Sequence, residues 1–412
     1  MIRRQDFSAF WDAPYRPLFL LAFLSALLTV AWWPLGVRLG MPDPGLEPAV
    51  LWHVHELLFG FAPAAIGGYL LTAMPGWTAR PPLCGAGLKA LVTIWLLARA
   101  ATAMSAALPL AVPLLLNIAY FLGLAGYLLH ELIAARACRK LGFAAAVFAL
   151  GLGEAVFLAN AATGDVWACL AIAQTILSGL TLLLFSVGAR AVPAFTRNWL
   201  AQKGQRGLKV RERPRIRGAA QGVLALALAL KLAGAAHAAD AVLVAAAVLI
   251  VWSMLGWKTA AVLSNPLLAA LHLAFLWLPV GALMIGVAGL GLWDYPVSSA
   301  LHAITIGAMS GLIMAIAGRA GAHCSDGIMR ARPALTTGVL LNGATAWVRL
   351  AVPLFPAISE ELTSAAALLW SAGWLVFITG FLPALTGSPP RPVLSGRRVY
   401  PPEAQPPAVQ KS

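Results

Sequence analysis

The chain has 412 residues, of which 60% are hydrophobic and only 11% are charged. Soluble domains carry roughly 45–50% apolar and about 25% charged residues, so the composition excludes a soluble globular protein and indicates that lipid is the main solvent. The net charge of +14 would suggest nucleic acid for a soluble domain. Here the basic residues lie between apolar blocks, which favours cytoplasmic loops and contact with anionic lipid over nucleic-acid binding.

Apolar blocks recur along the chain from Leu18 to Leu385, each near the roughly 20 residues that a membrane-crossing helix needs. The sequence therefore predicts an all-α fold, a polytopic transmembrane helix bundle of about 12 spans. The breaks between the third and fourth and between the seventh and eighth spans are weak, which leaves ten or eleven helices as an alternative. The predicted spans are 18–38, 51–74, 87–106, 110–133, 141–161, 166–189, 218–236, 239–257, 264–289, 298–319, 333–355 and 362–385.

The distribution of basic residues predicts the orientation of the bundle. With the N-terminus in the cytoplasm and alternating spans, 25 of the 29 Lys and Arg residues fall on the cytoplasmic side. Arg38, Arg99, Lys231 and Arg349 remain on the outer side. Such asymmetry favours a multi-pass protein of the cytoplasmic (inner) membrane with both termini in the cytoplasm.

The same pattern predicts the domain organisation. A cytoplasmic segment, 1–17, has no cleavable signal pattern and is followed by a first six-helix half, 18–190. A basic cytoplasmic loop, 191–217, separates it from a second six-helix half, 218–386. The tail, 387–412, is rich in proline and polar residues, so we expect it to be disordered.

The densest group of candidate ligands lies at the predicted outer end of the second span. There the segment WHVHE contains His53, His55 and Glu56. His53 and Glu56 are three residues apart and share a helix face, whereas His55 lies about 200° round the helix from His53. Imidazole is a good ligand for iron or copper, and a carboxylate can orient such a ligand. The alternative is a pair of interfacial histidines that hydrogen-bond at a helix start.

Three further histidines extend this pattern to both ends of the bundle. His302 begins the tenth span at the predicted outer end, so it is expected at the depth of His53 and His55. His272 and His323 lie toward the cytoplasmic side. At about 1.5 Å per residue, a regular helix would separate His302 from His323 by about 32 Å, too far to share a metal. For His272 a buried hydrogen-bonding role is the alternative, and for His323 an interfacial one.

Other polar or sulfur-bearing residues in the spans are weaker candidates. Glu154 could relay protons or could be a buried, hydrogen-bonded acid, and Met309 and Met314 fit helix packing better than copper binding. The four cysteines form neither CxxC nor CxxCH, which argues against a zinc knuckle and excludes covalent c-type haem. Asn160, Gln174 and Lys231 are further polar candidates inside the predicted spans.

Four ordered segments resemble signatures of the NnrS family of haem- and copper-containing membrane proteins. They are WHVHELLFGF with the following GGYLLTAMPGWTARPPL, then RAVPAFTRNWL, LHLAFLWLPVGALMIG and LHAITIGAMSGLIMAIAGRAGAH. One departure is the segment AGAHCSDG, where the family usually continues LGHTG, so Ala322 and Cys324 flank His323.

The resemblance implies non-covalent haem, expected to be b-type, together with copper and a role in nitric oxide metabolism or the response to nitrosative stress. It makes His53, His55, His272, His302 and His323 ligand candidates, with Glu56 beside them, and leaves open which of them binds haem and which binds copper. The expected partners are the lipid bilayer and nitric oxide, and no electron-donor domain is recognisable.

Two classes of function follow from the sequence. In the first, a haem/copper protein handles nitric oxide, a gas that partitions into lipid, and whether it turns the gas over is open. The alternative is a secondary transporter of a small solute without a metal cofactor. A transporter is expected to place its polar residues near the membrane midplane, whereas the histidines here cluster near helix ends, which favours the first class.

Overall fold

The computed structural model describes residues 7, 9–42, 45–205, 207–322, 329, 331–387 and 389. Within these residues the chain forms helices and no strand, which confirms the all-α class. The long helices, numbered in chain order, are α1 (Tyr15–Trp33), α2 (Ala49–Thr78), α3 (Gly85–Ala103), α4 (Ala111–Ala134), α5 (Cys138–Ala162), α6 (Val166–Gln202), α7 (Pro214–Leu232), α8 (Ala236–Met254), α9 (Pro266–Gly289), α10 (Val297–Gly321), α11 (Pro333–Ala351) and α12 (Ser359–Phe381).

Ten of the helices in the described part of the chain are long and apolar enough to cross a membrane. The other two, α7 and α11, have 19 residues each and coincide with the seventh and eleventh predicted spans. α7 is not one of the ten because three charged residues, Arg215, Arg217 and Lys231, lie within it. α11 is not one of them because its sequence is less apolar. The number of crossings and their orientation therefore stay predictions.

Both of the weak breaks in the hydrophobic pattern are turns in the structure. Gly234 follows α7 with a φ of +75°, a left-handed conformation that glycine adopts without steric cost and that commonly ends a helix. Between α3 and α4 the chain forms a short 3₁₀ turn, Ser105–Ala107. The third and fourth predicted spans, and likewise the seventh and eighth, are thus separate helices.

Helix α6 is longer than the sequence pattern predicts. It continues past the expected end at 189 to Gln202 and so occupies part of the predicted basic loop. It ends where Gly204 adopts a φ of +71° and the amide of Gln205 donates to the carbonyl of Leu200, at 3.0 Å, the pattern of a glycine-terminated helix. Basic side chains end the apolar pattern there, but they do not end the helix, because Arg and Gln are good helix formers.

The two ends of the helical region are packed together. The indole of Trp370 on α12 donates to the carbonyl of Ala26 on α1, at 2.7 Å. The guanidinium of Arg16, whose side chain is buried, donates to the carbonyls of Thr386 and Gly387, at 3.1 and 2.8 Å. α1 therefore contacts both α2 and α12, so the first and second halves of the chain meet at this helix.

The orientation can be tested with reporter fusions at two turns. Gln205 follows α6 in the basic loop, and Asp294 lies between α9 and α10. Three predicted spans separate the two turns, so the prediction places them on opposite sides of the membrane. Basic residues favour cytoplasmic loops. A fluorescent-protein fusion at Gln205 should therefore fluoresce, and an alkaline phosphatase fusion at Asp294 should show phosphatase activity in the periplasm. The reverse activities would contradict the predicted orientation.

Candidate functional site

Within the described residues, three stretches of wide, π-helical turns interrupt the long helices. They are Ala31–Gly36 after the main part of α1, Glu56–Phe61 in α2, and Ala303–Ser310 in α10. In the first, Trp33 leaves the helical conformation, with φ −131° and ψ 124°. π turns inside α-helices are rare and frequently occur at functional sites, and each of these stretches contributes side chains to the same cavity.

Side chains of neighbouring helices bind the backbone of two of these stretches. The amide of Asn342 on α11 donates to the carbonyl of Ile306, at 3.1 Å, and accepts a hydrogen bond from Ser310 Oγ, at 2.6 Å. The indole of Trp95 on α3 donates to the carbonyl of Gly60, at 3.2 Å. Backbone groups in a lipid-embedded helix must be satisfied by such partners when the regular pattern is broken, so these contacts stabilise the distorted turns.

The cavity has a volume of about 770 Å³, within the range of roughly 300–1,000 Å³ that is typical of small-molecule and cofactor sites. Its walls are mostly apolar and include Leu57, Phe61, Ile306 and Trp370. The lining residues come from the C-terminal ends of α1 and α11 and the N-terminal parts of α2, α6, α10 and α12. Because the helix direction alternates, all these ends lie on one side of the bundle, the side predicted to face outward.

His302 lines this cavity from α10, immediately before the π-helical stretch. Its Nδ1 lies 3.0 Å from the carbonyl oxygen of Ser298 and 3.3 Å from that of Ser299. A carbonyl oxygen only accepts, so Nδ1 carries the proton and the neutral ring keeps its free electron pair on Nε2. A backbone carbonyl that fixes the tautomer in this way is the usual partner of a metal-binding histidine.

His53 lines the same cavity from α2. Its ring lies 5.1 Å from that of Trp33, and its Nδ1 is buried without a hydrogen-bond partner among the described residues. A buried, unsatisfied ring nitrogen is unusual and calls for a missing partner. The structure thus brings His53 and His302 from two helices to one cavity.

Two arginines among the described residues also line the cavity. Arg349, near the end of α11, approaches Ser299 Oγ at 3.5 Å. Arg38, after α1, donates to Ser364 Oγ and lies 3.8 Å from Glu360. The cavity therefore combines two imidazoles and two guanidinium groups with apolar walls.

His55 is absent from the cavity lining and is fully buried on the opposite side of α2, beside Phe59 and Phe157. Its Nδ1 lies 3.1 Å from Glu56 Oε1, and its Nε2 lies 3.1 Å from Glu154 Oε1. The second contact has the distance of an ion pair without the alignment of a hydrogen bond. The carboxylate of Glu56 therefore contacts His55 and not, as the three-residue spacing predicted, the face of His53.

Arg99 joins these groups across the first half of the bundle. Its guanidinium donates to Glu56 Oε1 at 2.8 Å and to Glu154 Oε1 at 3.3 Å, and it also donates to the side chain of Asn117. A Cβ atom on Gly60 would lie 3.1 Å from both Arg99 and Glu56, so a glycine leaves room for the network. We call His55, Glu56, Arg99 and Glu154 the buried charge cluster; it connects α2, α3 and α5, and Asn117 extends it to α4.

His272 lies apart from the cavity, in a buried cluster of its own. Its Nε2 lies 2.8 Å from Thr196 Oγ1, its Nδ1 lies 2.9 Å from Thr259 Oγ1, and its ring packs edge-on against Trp257. Both ring nitrogens have hydroxyl partners, so neither is open to a metal in this arrangement. The alternative of a buried hydrogen-bonding histidine describes its surroundings.

The described residues offer ligands for a haem but no group of three ligands for copper. His323 and Cys324 lie outside the described residues. Within the part of the chain that the structure describes, no three His, Cys, Asp or Glu side chains are grouped so as to hold a metal ion. A haem needs only one or two histidine ligands from the protein, which His53 and His302 can supply, whereas a copper site of three such ligands does not fit the described residues.

Some of the other polar and sulfur-bearing candidates line the cavity, and the others lie away from it. Gln174 and Met309 line the cavity, whereas Met314 is buried in helix packing. Asn160 donates to the carbonyl of its own helix at Val156, and Lys231 lies at the end of α7. The sequence reasoning missed Arg99 and Asn117 as partners of the charge cluster. The sequence did contain a signal for this contact. Arg99 lies inside an apolar span, Glu154 lies two spans later without a predicted partner, and charged residues in membranes pair with one another.

The comparisons with known proteins give one finding. The family model described as NnrS protein matches residues 9–388, nearly the whole chain. The search of curated proteins found no match.

Proposed function

This chain is a member of the NnrS family, and from that premise we propose that it binds non-covalent haem in the cavity between α2 and α10, with His53 and His302 as the iron ligands, and acts in nitric oxide metabolism or the response to nitrosative stress. Family membership supports a nitric-oxide-related membrane protein, while the cofactor and the role are our proposal. The observation that carries it is the convergence of His53 and His302 on one apolar cavity.

The residues around the cavity fit a haem in three respects. His302 presents an unprotonated Nε2 because its Nδ1 is bound to backbone carbonyls, and the unsatisfied ring of His53 would gain a partner. The apolar walls suit a porphyrin face. The volume of about 770 Å³ accommodates a cofactor of this class.

When bound, haem iron would supply affinity for a neutral diatomic gas such as nitric oxide, which would take the place of one of the two imidazoles. The chain's own contribution is to orient two imidazoles and to keep their surroundings apolar. The site lies among helices that are apolar enough to lie in lipid, where nitric oxide concentrates, so the gas needs no aqueous channel to reach it. Copper, which the family resemblance implies, remains a prediction, because the described residues offer no three-ligand group for it.

An absorption spectrum of the purified protein tests this proposal. We expect a Soret band that shifts when nitric oxide is added to the reduced protein, and haem that is extracted by acidified organic solvent, because no CxxCH motif is present for covalent attachment. A preparation that stays colourless after haem is supplied, and that moves a small solute across vesicles, would contradict the proposal and support the transporter alternative.

A further inference from the structure

Arg349 lies on the cavity wall, and the part of the chain that the structure describes supplies no balancing charge for it. It is partly buried, and its one hydrogen-bond contact among the described residues is to Ser299 Oγ, at 3.5 Å, the upper limit for such a bond. Among the described residues, no carboxylate oxygen lies within 4.0 Å of it. Arg38, the other arginine of the cavity, differs because Glu360 lies 3.8 Å away.

An arginine that faces an apolar cavity needs an anionic partner. Removing a charge from water is costly unless an opposite charge and hydrogen bonds compensate it. The two histidines of the cavity cannot provide this compensation, because imidazole is neutral or positive. The occupant of the cavity must therefore bring the negative charge, and the planar fork of a guanidinium fits a carboxylate best.

The position of Arg349 relates this carboxylate to the iron ligand. Ser299 contacts the guanidinium through its side chain and His302 Nδ1 through its backbone carbonyl. Arg349 thus lies beside the turn of α10 that orients His302. An anion bound by Arg349 would lie at the edge of the cavity next to this imidazole.

We propose that Arg349 binds a propionate carboxylate of the haem and so determines which edge of the porphyrin faces α11. This inference rests on the proposed function, because it takes haem as the occupant. It assigns Arg349 a positioning role beside the iron ligands, and it assigns Arg38 no such role, since Glu360 already balances its charge.

The test compares two porphyrins that differ only in the carboxylates. The haem-free protein is titrated in detergent with haem and with haem dimethyl ester, in which both propionates are esterified, and binding is followed by the Soret band. The wild type should bind haem about tenfold or more tightly than the ester, the gain expected from one charge-assisted hydrogen bond. Arg349→Gln should bind both porphyrins with the same, weaker affinity, and Arg349→Lys should recover part of the preference.

Arg38→Gln is the matched control, because it removes the other guanidinium of the same cavity and should keep the preference for haem. Equal binding of haem and ester by the wild type, with a Soret band for both, would overturn the role of Arg349 and leave the haem site intact. Loss of the preference in Arg38→Gln but not in Arg349→Gln would also overturn it. Absence of a Soret band with either porphyrin would refute the haem proposal itself.

Discussion

His302→Ala should abolish haem binding in the purified protein. Its imidazole is the one whose tautomer the structure determines, with Nδ1 bound to the carbonyls of Ser298 and Ser299 and Nε2 left for a metal. Loss of a residue that only supports a ligand typically costs about 10–100-fold in metal affinity, so loss of the ligand itself should exceed about 100-fold. His53→Ala should also weaken binding strongly. The measurement is the Soret absorbance per protein during titration with haem.

Two variants serve as controls for this experiment. His272→Ala removes a buried histidine whose nitrogens are both bound to threonines away from the cavity, and His130→Ala removes an imidazole that is 71% exposed. Both should retain haem. Because the His302 side chain, within the described residues, bonds only to carbonyls of its own helix, its loss should leave the fold intact, and added imidazole should restore part of the Soret band. Full haem binding by His53→Ala and His302→Ala would exclude these residues as ligands.

Arg99→Met should strongly destabilise the first half of the bundle. It would leave the carboxylates of Glu56 and Glu154 buried without their guanidinium partner. Breaking a buried ion pair by removing one partner costs about 3–5 kcal/mol. The free energy of unfolding, measured by titrating mixed micelles with sodium dodecyl sulfate, should fall by about this amount.

The pair between Arg38 and Glu360 provides the comparison for this change. Its side chains are 49% and 84% exposed, so Arg38→Met should cost about 0–1 kcal/mol. Adding Glu154→Gln to Arg99→Met should recover part of the loss, because a neutral amide no longer needs the positive charge. If Arg99→Met were no more destabilising than Arg38→Met, the charge cluster would not contribute to stability.

The sequence was sufficient to place the helices and one pair of histidines. Hydrophobic length predicted every long helix of the described residues, and alternation of direction placed His53 and His302 at the same end of the bundle. The sequence alone could not show which of His53 and His55 faces the cavity. The 200° between them at helical spacing indicated different faces, about as far apart as a helix allows, but which face meets the cavity depends on the packing of α2 against α3 and α5.

The buried charge cluster shows a second limit. Arg99, Asn117 and Glu154 lie on three successive helices, and their contacts depend on how those helices are rotated about their axes. One sequence carries no information on this rotation beyond the average apolar face, and the apolar faces here are nearly uniform. The π-helical stretches were not predicted for a similar reason, since their stabilising partners, such as Asn342 for Ile306, come from distant parts of the chain.

The wide turns in α10 also determine which kinds of sequence change the site tolerates. Each residue of an α-helix turns the chain by about 100° and advances it by about 1.5 Å. A deletion of one residue within Ala303–Ser310 would convert the wide turns to regular α-helix. His302 would then rotate relative to the part of α10 that follows, even if every lining side chain were kept. Substitutions there exchange one wall atom for another, whereas a change in chain length redirects the imidazole. The direction in which the His302 imidazole points therefore depends on the number of residues in this stretch as well as on their chemistry.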